Sequence, residues 1–354
     1  MAPIDPSAWM VLAIVWPLAS AILSYVASRA ARWIGVAAAL VMTIPVAGLA
    51  HSVWHAGVLS HNIGGWGAPL GIELAADGLS VLMLTLTAIV CGVGSVYAFA
   101  YFAPQSRAAQ KQGQRFWPLW MLLWGGLNAL FLSADLFNLY VTLEVVGLAA
   151  VPLVAVAGDK ALTAAMRYLM VSLLGSLCYL LGVGIVYLYR GTLHLPTLAA
   201  LAGDSLAVGS ALALMSAGLL MKMAVFPLHF WLPPAHANAP APVSAVLSAV
   251  VVKAGFYLLL RLWFGGLTTA PDANLAQALG WMGAAAILWG SLNALRAQRL
   301  KMLVAYSTVA QLGYLMLVFP LTARDTGAMA AWGGALYFML AHACAKASVF
   351  FSAG

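Results

Sequence analysis

The chain has 354 residues, of which 64% are hydrophobic and only 7% are charged, and its mean hydropathy is +0.98. A water-soluble domain carries about 25% charged residues, so this composition excludes a soluble globular protein. The formal net charge is +7, but the cations are dispersed and form no basic face, which argues against nucleic-acid binding. The excess of apolar surface must therefore face lipid.

Long apolar segments predict an all-α integral membrane protein, because a membrane-crossing helix needs roughly 20 mostly apolar residues and open strands cannot cross. About eleven spans follow in chain order: Ala8–Ala27, Trp33–His55, Gly78–Phe102, Trp117–Ala134, Leu136–Ala157, Ala161–Tyr189, a seventh from Leu206, Val243–Phe264, Gln277–Leu295, Leu303–Leu321 and an eleventh from Gly327. The segment from His61 to Asp77 is rich in Gly and Pro and predicts an external turn or small hairpin.

Positive charges alternate between the loops and orient the predicted bundle. Ten cations are expected on one set of loops: Arg29, Arg32, Arg107, Lys111, Arg115, Lys160, Arg167, Arg296, Arg299 and Lys301. The opposite set carries three: Arg190, Arg261 and Arg324. Cytoplasmic loops are enriched in Lys and Arg, so we predict a multi-pass protein with its N-terminus outside and the basic loops in the cytoplasm.

Three lysines fit no loop, since Lys222, Lys253 and Lys346 lie within the seventh, eighth and eleventh spans. Glu144 lies roughly 12 Å into the fifth span at 1.5 Å per residue, whereas Asp135 falls at the turn before it. An ionisable side chain near the bilayer centre costs about 2.5–3.5 kcal/mol, so these groups should face each other or buried water. A proton relay is the functional interpretation. Snorkelling of a lysine to an interface and a purely structural ion pair are the alternatives.

Prolines cluster where the seventh span should continue, in the run PLHFWLPPAHANAPAP. Each proline removes a backbone donor, so Pro227, Pro233 and Pro234 predict a broken helix soon after Lys222. Broken helices at membrane depth are tolerated where they are buried in protein or line a wet cavity, and they mark ion sites in transporters.

Histidines accompany this break and one of the buried lysines. His229 and His236 lie in the proline-rich run, and His342 lies four residues before Lys346, on the same face of the eleventh span. Histidine can shuttle protons near neutral pH, so all three histidines are candidate relay residues. Haem ligation and ordinary structural hydrogen bonding are the alternatives.

The sequence lacks the motifs of nucleotide and redox cofactors. It contains no P-loop, no GxGxxG after a strand and no CxxC spacing. Cys91, Cys178 and Cys344 all lie in apolar runs and are expected to be small buried side chains rather than metal ligands or disulfide partners. We therefore expect this chain to bind no cofactor and no metal, and partner subunits to drive any uphill ion movement.

The run LMKMAVFPLHFWLPPAHANAPAPVSAVLSAVVVKAGFY, from Leu220 to Tyr257, resembles the signature of a known membrane family. The family comprises the antiporter-like, proton-conducting subunits of respiratory complex I, of formate hydrogenlyase-type hydrogenases and of multisubunit cation/proton antiporters. Other matching runs are DLFNLYVTLEVVGLAAVPLVA around Glu144, RLKMLVAYSTVAQLGYL from Arg299, HACAKASVFFSAG from His342 and the external segment GGWGAPLGIELAADGLS. The resemblance covers nearly the whole chain.

The resemblance implies that Glu144 pairs with Lys222, that Lys253 is the hub of a hydrated axis along the membrane, and that His342 and Lys346 lead onward. It implies a proton-translocating subunit in the bacterial plasma (inner) membrane, with other membrane subunits of a respiratory, hydrogenase or antiporter complex as partners. Which complex this is, and whether partners exchange sodium, stays open. The alternatives are a non-transporting scaffold subunit and a haem- or quinone-binding redox protein.

Members of the family usually have about fourteen helices in two inverted repeats, each with a broken helix. The chain is therefore expected to be an incomplete version of that fold, and a fragment. We predict a single transmembrane domain, with helices 1–3 in residues 1–116, a first repeat of helices 4–8 in residues 117–264 and a truncated second repeat of helices 9–11 in residues 265–354.

Overall fold

The computed structural model describes residues 5–68, 71–103, 106–201, 203, 205–267, 272–323 and 328–354. Its main helices are α1 (Pro6–Val26), α2 (Ala31–Ala56), α3 (Gly78–Tyr101), α4 (Arg107–Leu132), α5 (Leu136–Ala155), α6 (Asp159–Arg190), α7 (Leu206–Met223), α8 (Leu232–Asn238), α9 (Ala241–Phe264), α10 (Ala273–Arg296), α11 (Leu300–Thr322) and α12 (Ala328–Ser352). Two short strands, β1 (Leu59–Asn62) and β2 (Glu73–Ala76), lie between α2 and α3, and a short helix, Leu195–Ala200, precedes α7.

Ten of these helices are long and apolar enough to cross a membrane, counted over the described residues: α1–α3, α5–α7 and α9–α12. The prediction of a multi-pass helical membrane protein is confirmed. Helix α4 contains the predicted span Trp117–Ala134 up to Leu132 and has 26 residues, roughly 39 Å at 1.5 Å per residue. Its polar first turns and its tryptophans lower its hydropathy, so the count of eleven crossings stays a prediction.

Helix α9 occupies the centre of the bundle. Its most apolar 18-residue window is 100% buried, whereas the corresponding windows of α1, α10 and α12 are 33% buried. The outward faces of the peripheral helices carry exposed apolar side chains such as Leu188, Leu206 and Leu295, as a lipid-facing surface requires. Side chains from Ala241 to Leu260 of α9 are consequently sealed from both lipid and bulk water.

The seventh predicted span is broken. Helix α7 ends at Met223, because Ala224 adopts the left-handed backbone conformation with φ of 57°. Pro227 lies in the irregular turn that follows, while Pro233 and Pro234 lie in the first turn of α8. The first N–H groups of a helix have no intrahelical partner, so proline is tolerated there. Pro233 and Pro234 therefore begin a new half-helix.

The Gly- and Pro-rich segment before α3 contains the predicted hairpin. Strands β1 and β2 pair antiparallel, with Leu59 opposite Ala76, and residues 69–70 of the connection lie outside the described residues. Asp77 follows β2 and accepts a hydrogen bond from the Ser80 N–H at 2.9 Å, which caps the start of α3.

Several cations predicted in loops lie within helices instead. These are Arg32 in α2, Arg107, Lys111 and Arg115 in α4, Lys160, Arg167 and Arg190 in α6, Arg261 in α9, Arg296 in α10 and Lys301 in α11. The predicted division after residue 116 falls inside α4, whereas the division after residue 264 coincides with the end of α9. Helices run past their apolar stretches because long charged side chains reach the hydrated interface. Arg324 lies outside the described residues.

The cysteines differ in exposure. Cys91 is buried as predicted, but Cys178 is half-buried and Cys344 is exposed. The prediction of burial is wrong for Cys344, because α12 directs much of its surface outward and an apolar thiol can face lipid. All three thiols are free.

Candidate functional site

An ion pair joins α5 and α7 inside the bundle. Lys222 Nζ lies 3.3 Å from Glu144 Oε1 and donates a second hydrogen bond, of 3.0 Å, to Ser172 Oγ on α6. The Lys222 and Glu144 side chains are 8% and 21% exposed. Lys222 lies in the last turn of α7, where the helix dipole favours a cation. The structure thus brings Glu144 and Lys222 together, as the resemblance implies.

Two details of the local fold position Lys222. The first is a close approach of α6 and α7, since a Cβ on Gly175 would lie 2.8 Å from the Gly218 carbonyl oxygen. Small residues of this kind let membrane helices touch along their backbones. The second is Trp231, whose Nε1–H donates to the Met221 carbonyl at 2.9 Å across the helix break. The break therefore holds the end of α7 in a defined place.

A small cavity separates this ion pair from the central helix. It measures about 10 Å³, close to the space that one water molecule occupies. Its lining includes Lys222, Ser172, Val251 and Gly255. Val251 and Gly255 share the face of α9 that borders the cavity, whereas Lys253, two residues from each, does not line it and lies on another face of the same helix.

Lys253 is fully buried and lies beside an irregular turn of α9. Residues Leu247–Val251 form a π-helical turn, a feature that often occurs at functional sites. Lys253 Nζ donates to the Ser248 carbonyl at 2.5 Å, and the Ser248 hydroxyl lies 2.9 Å from Thr308 Oγ1 on α11. In the part of the chain that the structure describes, no carboxylate forms a salt bridge with Lys253.

Helix α12 carries His342 and Lys346, two of the predicted relay residues. His342 and Lys346 are both buried, at 3% and 6% exposure, and share one face of the helix. Lys346 Nζ hydrogen bonds to Ser307 Oγ and donates to the Val304 carbonyl at 3.3 Å, both on α11. Neither of the buried amines, Lys253 and Lys346, pairs with a carboxylate among the described residues.

The proline-rich run places its two histidines in different surroundings. His236 on α8 is fully buried and stacks on Phe350, with ring centroids 4.7 Å apart. It lies within electrostatic range of Lys253 and Lys346, so the structure adds His236 to the cluster on α9 and α12. His229 lies apart from that cluster and accepts a hydrogen bond of 3.0 Å from the Trp289 indole on α10.

Hydroxyl side chains complete the site, and none of them is predicted from the sequence. They are Ser172 beside Lys222, Ser248 and Thr308 beside Lys253, and Ser307 beside Lys346. A hydroxyl in an apolar span is visible in the sequence, but it usually bonds its own helix backbone. Thr308 does so too, donating to the Val304 carbonyl at 3.0 Å. The sequence alone therefore does not distinguish these residues from other buried hydroxyls.

A half-buried ion pair, which is not predicted from the sequence, joins α9 to the start of α3. Arg261 binds Asp77 through two hydrogen bonds, of 2.5 and 2.6 Å, and donates a third to Ser80 Oγ at 3.0 Å. Burial raises the pKa of Asp77, but the hydrogen bonds and the charge of Arg261 outweigh it and lower this pKa to about 2. Arg261 is on the helix of Lys253, two turns further along.

The histidines of the site are not gathered around one metal position in the described part of the chain. Within the described ranges, no three His, Cys, Asp or Glu side chains are placed to hold one metal ion. Trp289 already occupies Nε2 of His229, whereas the ring nitrogens of His236 and His342 have no hydrogen-bond partner among the described residues and lie within electrostatic range of Lys253 and Lys346. The arrangement is suited to holding and passing protons between amines, imidazoles and hydroxyls.

Residues 133–354 match the family described as NADH:quinone oxidoreductase/Mrp antiporter, TM. Among curated proteins, the chain is 42% identical to NADH-quinone oxidoreductase subunit N of Desulforudis audaxviator over 83% of this chain and 58% of that protein. It is 30% identical to a subunit of the Na(+)/H(+) antiporter of Alkalihalophilus pseudofirmus over 86% of this chain and 61% of that protein. The chain thus spans about three fifths of the length of these relatives.

Among solved structures, a chain of the membrane-bound sulfane sulfur reductase, an archaeal respiratory membrane complex, has the same fold. It superposes with a TM-score of 0.87 at 29% identity, over 96% of this chain and 69% of that one. The similarity in fold thus extends to nearly the whole chain, including the helices before residue 133.

Proposed function

The chain belongs to the NADH:quinone oxidoreductase/Mrp antiporter family of transmembrane subunits, and we propose that it is a proton-translocating membrane subunit of a multisubunit complex. The observation that carries the proposal is the ion pair of buried Lys222 and half-buried Glu144, 3.3 Å apart, together with the fully buried Lys253 on the central helix. An ion pair that can open, followed by an amine without a carboxylate partner among the described residues, is able to pass a proton on.

The proposed path begins at the ion pair. When Glu144 takes up a proton it loses its negative charge, and Lys222 loses its counter-ion. The Lys222 ammonium, still hydrogen bonded to Ser172, then passes its proton toward the Lys253 amine on the central helix. The ammonium of Lys222 becomes an amine, and the amine of Lys253 becomes an ammonium.

The path continues along α12. Two positive charges close together in a nonpolar interior repel each other strongly, so a proton that arrives at Lys253 favours release from Lys346, with His236 and His342 as intermediate acceptors. Lys346 bonds Ser307, which also lines an open groove of about 400 Å³ between α10 and α11. His229 accepts a hydrogen bond from the Trp289 indole, and we assign it a structural role at the helix break rather than a place in the path.

Replacing Glu144 by glutamine tests the proposal. Glutamine keeps the shape of the side chain but cannot take up the proton. We expect Glu144→Gln to lower the initial rate of proton translocation by about 10-fold or more in liposomes that contain the assembled complex. Asp159→Asn is the matched control, because Asp159 is exposed at the start of α6 and should leave the rate unchanged.

The same transport measurement in liposomes addresses the alternative of a scaffold subunit. Wild-type rates in the Glu144→Gln complex would contradict the relay. If a complex that lacks this chain still moves protons normally, the chain is a scaffold.

Co-purifying subunits identify the complex. NADH-oxidising or hydrogenase subunits indicate one class, and small antiporter subunits, with sodium exchange by partners, indicate another.

We also propose that the chain binds no haem or quinone of its own. In support, a haem iron at His229 would have to displace the Trp289 indole from Nε2. An absorption spectrum of the purified protein tests this, since a bound haem absorbs strongly in the visible range.

The proposed location is the bacterial plasma (inner) membrane, with the N-terminus outside and the basic ends of the helices in the cytoplasm. Cysteine labelling in intact cells tests this orientation, after exposed Cys344 is replaced by alanine. We expect Asn62→Cys in β1 to react with a membrane-impermeant maleimide, and Lys111→Cys in α4 to react only after permeabilisation. Both positions are exposed, and the reverse labelling pattern would invert the orientation.

A further inference from the structure

A cavity unrelated to the proton path lies at the basic end of the bundle. It measures about 120 Å³ and is bounded by the turn between α1 and α2, the end of α3 and the first half of α4. Its polar lining comes from Arg29, Arg32, Gln110 and Gln114, together with Ser28. Trp33 and Trp117 supply aromatic walls.

The arginines of this cavity form no ion pair with any carboxylate that the structure describes. The chain contains no Asp or Glu from residue 6 to 72 or from residue 78 to 134, so α1, α2, α3 and α4 carry no carboxylate. Within the described residues, neither Arg29 nor Arg32 takes part in a salt bridge. Two guanidinium groups that share one cavity without a counter-charge favour an anionic ligand.

The aromatic residues hold one of these arginines in place. The Arg32 guanidinium carbon lies 5.3 Å from the Trp33 ring centroid and 5.0 Å from that of Phe99. Cation–π contacts of this kind fix the plane of a guanidinium while its N–H groups stay free for a ligand. Arg32 is half-buried and Arg29 is exposed, so an anion can approach both from the membrane surface.

Helix α4 forms the opposite wall in a regular way. Gln110, Gly113, Gln114 and Trp117 follow the i, i+3, i+4, i+7 spacing of one helix face. Two glycines bring α4 close to the rest of the cavity. Trp117 of α4 packs on Gly35 of α2, and Phe102 packs on Gly113 of α4, where an added Cβ would lie 3.3 Å from Phe102 Cβ. The two glutamine amides can thus donate hydrogen bonds toward the same space as the arginines.

We propose that this cavity binds the phosphate of an anionic phospholipid headgroup. Its phosphate oxygens would accept hydrogen bonds from Arg29, Arg32 and the glutamine amides. Basic pockets between membrane helices on the cytoplasmic side bind such headgroups. Tyr25 and Val26, at the end of α1, are each 76% exposed and provide an apolar surface for acyl chains, which a free phosphate ion does not need. The proposal is independent of the proton path.

Native mass spectrometry of the delipidated, intact assembly tests the proposal, with phosphatidylglycerol added as the probe. Arg29 and Arg32 would bond the phosphate directly through charge-assisted hydrogen bonds, so we expect Arg29→Gln/Arg32→Gln to weaken phosphatidylglycerol binding about 30-fold. Arg107→Gln/Arg115→Gln is the matched control, because it removes the same charge from the same end of the bundle outside the cavity. It should change binding less than about 3-fold, since these arginines act on the headgroup only through attraction that salt screens.

Three outcomes would overturn the assignment. Equal losses in the two double variants would mean that the surface attracts anions without a defined site. Equal binding of zwitterionic phosphatidylcholine would mean that the arginines do not select for anionic lipid. Displacement of phosphatidylglycerol by millimolar inorganic phosphate would mean that the ligand is a free anion. Unchanged thermal unfolding of the lipid-free variants confirms that they are folded.

Discussion

Lys253→Ala is expected to reduce proton translocation by the assembled complex to the background leak, about 100-fold or more below wild type. The reason is that Lys253 is fully buried on the central helix and, in the proposed path, receives the proton from Lys222 and passes it toward Lys346. Alanine leaves a gap in the path that no neighbouring amine can bridge. Proton uptake into sealed liposomes, measured with a pH-sensitive dye, gives the rate.

Two comparisons separate this effect from misfolding and from loss of charge. Lys160→Ala is the control, because Lys160 is exposed at the start of α6 and its removal should leave both assembly and rate unchanged. Lys253→Arg keeps a positive charge, but a guanidinium does not release its proton, so this variant should also be inactive. Transport at the wild-type rate by a correctly assembled Lys253→Ala complex would refute the relay.

Arg261→Gln is expected to lower the free energy of unfolding by about 3 kcal/mol, because it leaves the Asp77 carboxylate desolvated without its partner. The pair is bidentate and its side chains are 24% and 28% exposed for Arg261 and Asp77, so the effect should lie at the low end of the range for buried pairs. Denaturant-induced unfolding of the purified protein in detergent measures this loss.

A double variant shows whether the lost stability comes from the unpaired charge. Asp77→Asn/Arg261→Gln removes both charges and should recover part of the loss, which a double-mutant cycle quantifies. If the double variant is as unstable as the sum of the single variants, the two residues do not stabilise each other.

The same ion pair predicts a dependence of stability on pH. The folded-state pKa of Asp77, about 2, lies below its ordinary value of 3.8. The carboxylate therefore contributes stability above about pH 4, and that contribution, about 2 kcal/mol, is lost as the pH falls toward 2. Wild type should lose more stability than Asp77→Asn between pH 4 and pH 2. Equal losses would mean that other carboxyl groups account for the change.

Individual residues show which features of the structure could be predicted from the sequence. The apolar runs predicted the helices, the prolines predicted the break after Lys222, and the turn residues predicted the hairpin before α3, because these features depend on local composition and backbone chemistry. The family resemblance added the pairing of Glu144 with Lys222, which lie 78 residues apart. The helix ends were less predictable. Helix α4 begins at Arg107, well before its apolar stretch, because water at the membrane interface can hydrate the charged side chains of its first turns.

By itself, the sequence determined that this protein spans the membrane several times and that a few ionisable groups must lie inside it, because the cost of placing a charge in lipid depends on local composition. Only the tertiary structure decided the partners of those groups. Ser172 accepts a hydrogen bond from Lys222, and the Ser248 carbonyl in the π-helical turn accepts one from Lys253. Arg261 pairs with Asp77, which lies 184 residues earlier in the sequence. Such contacts arise from which helix faces pack together, and packing depends on shape across the whole bundle.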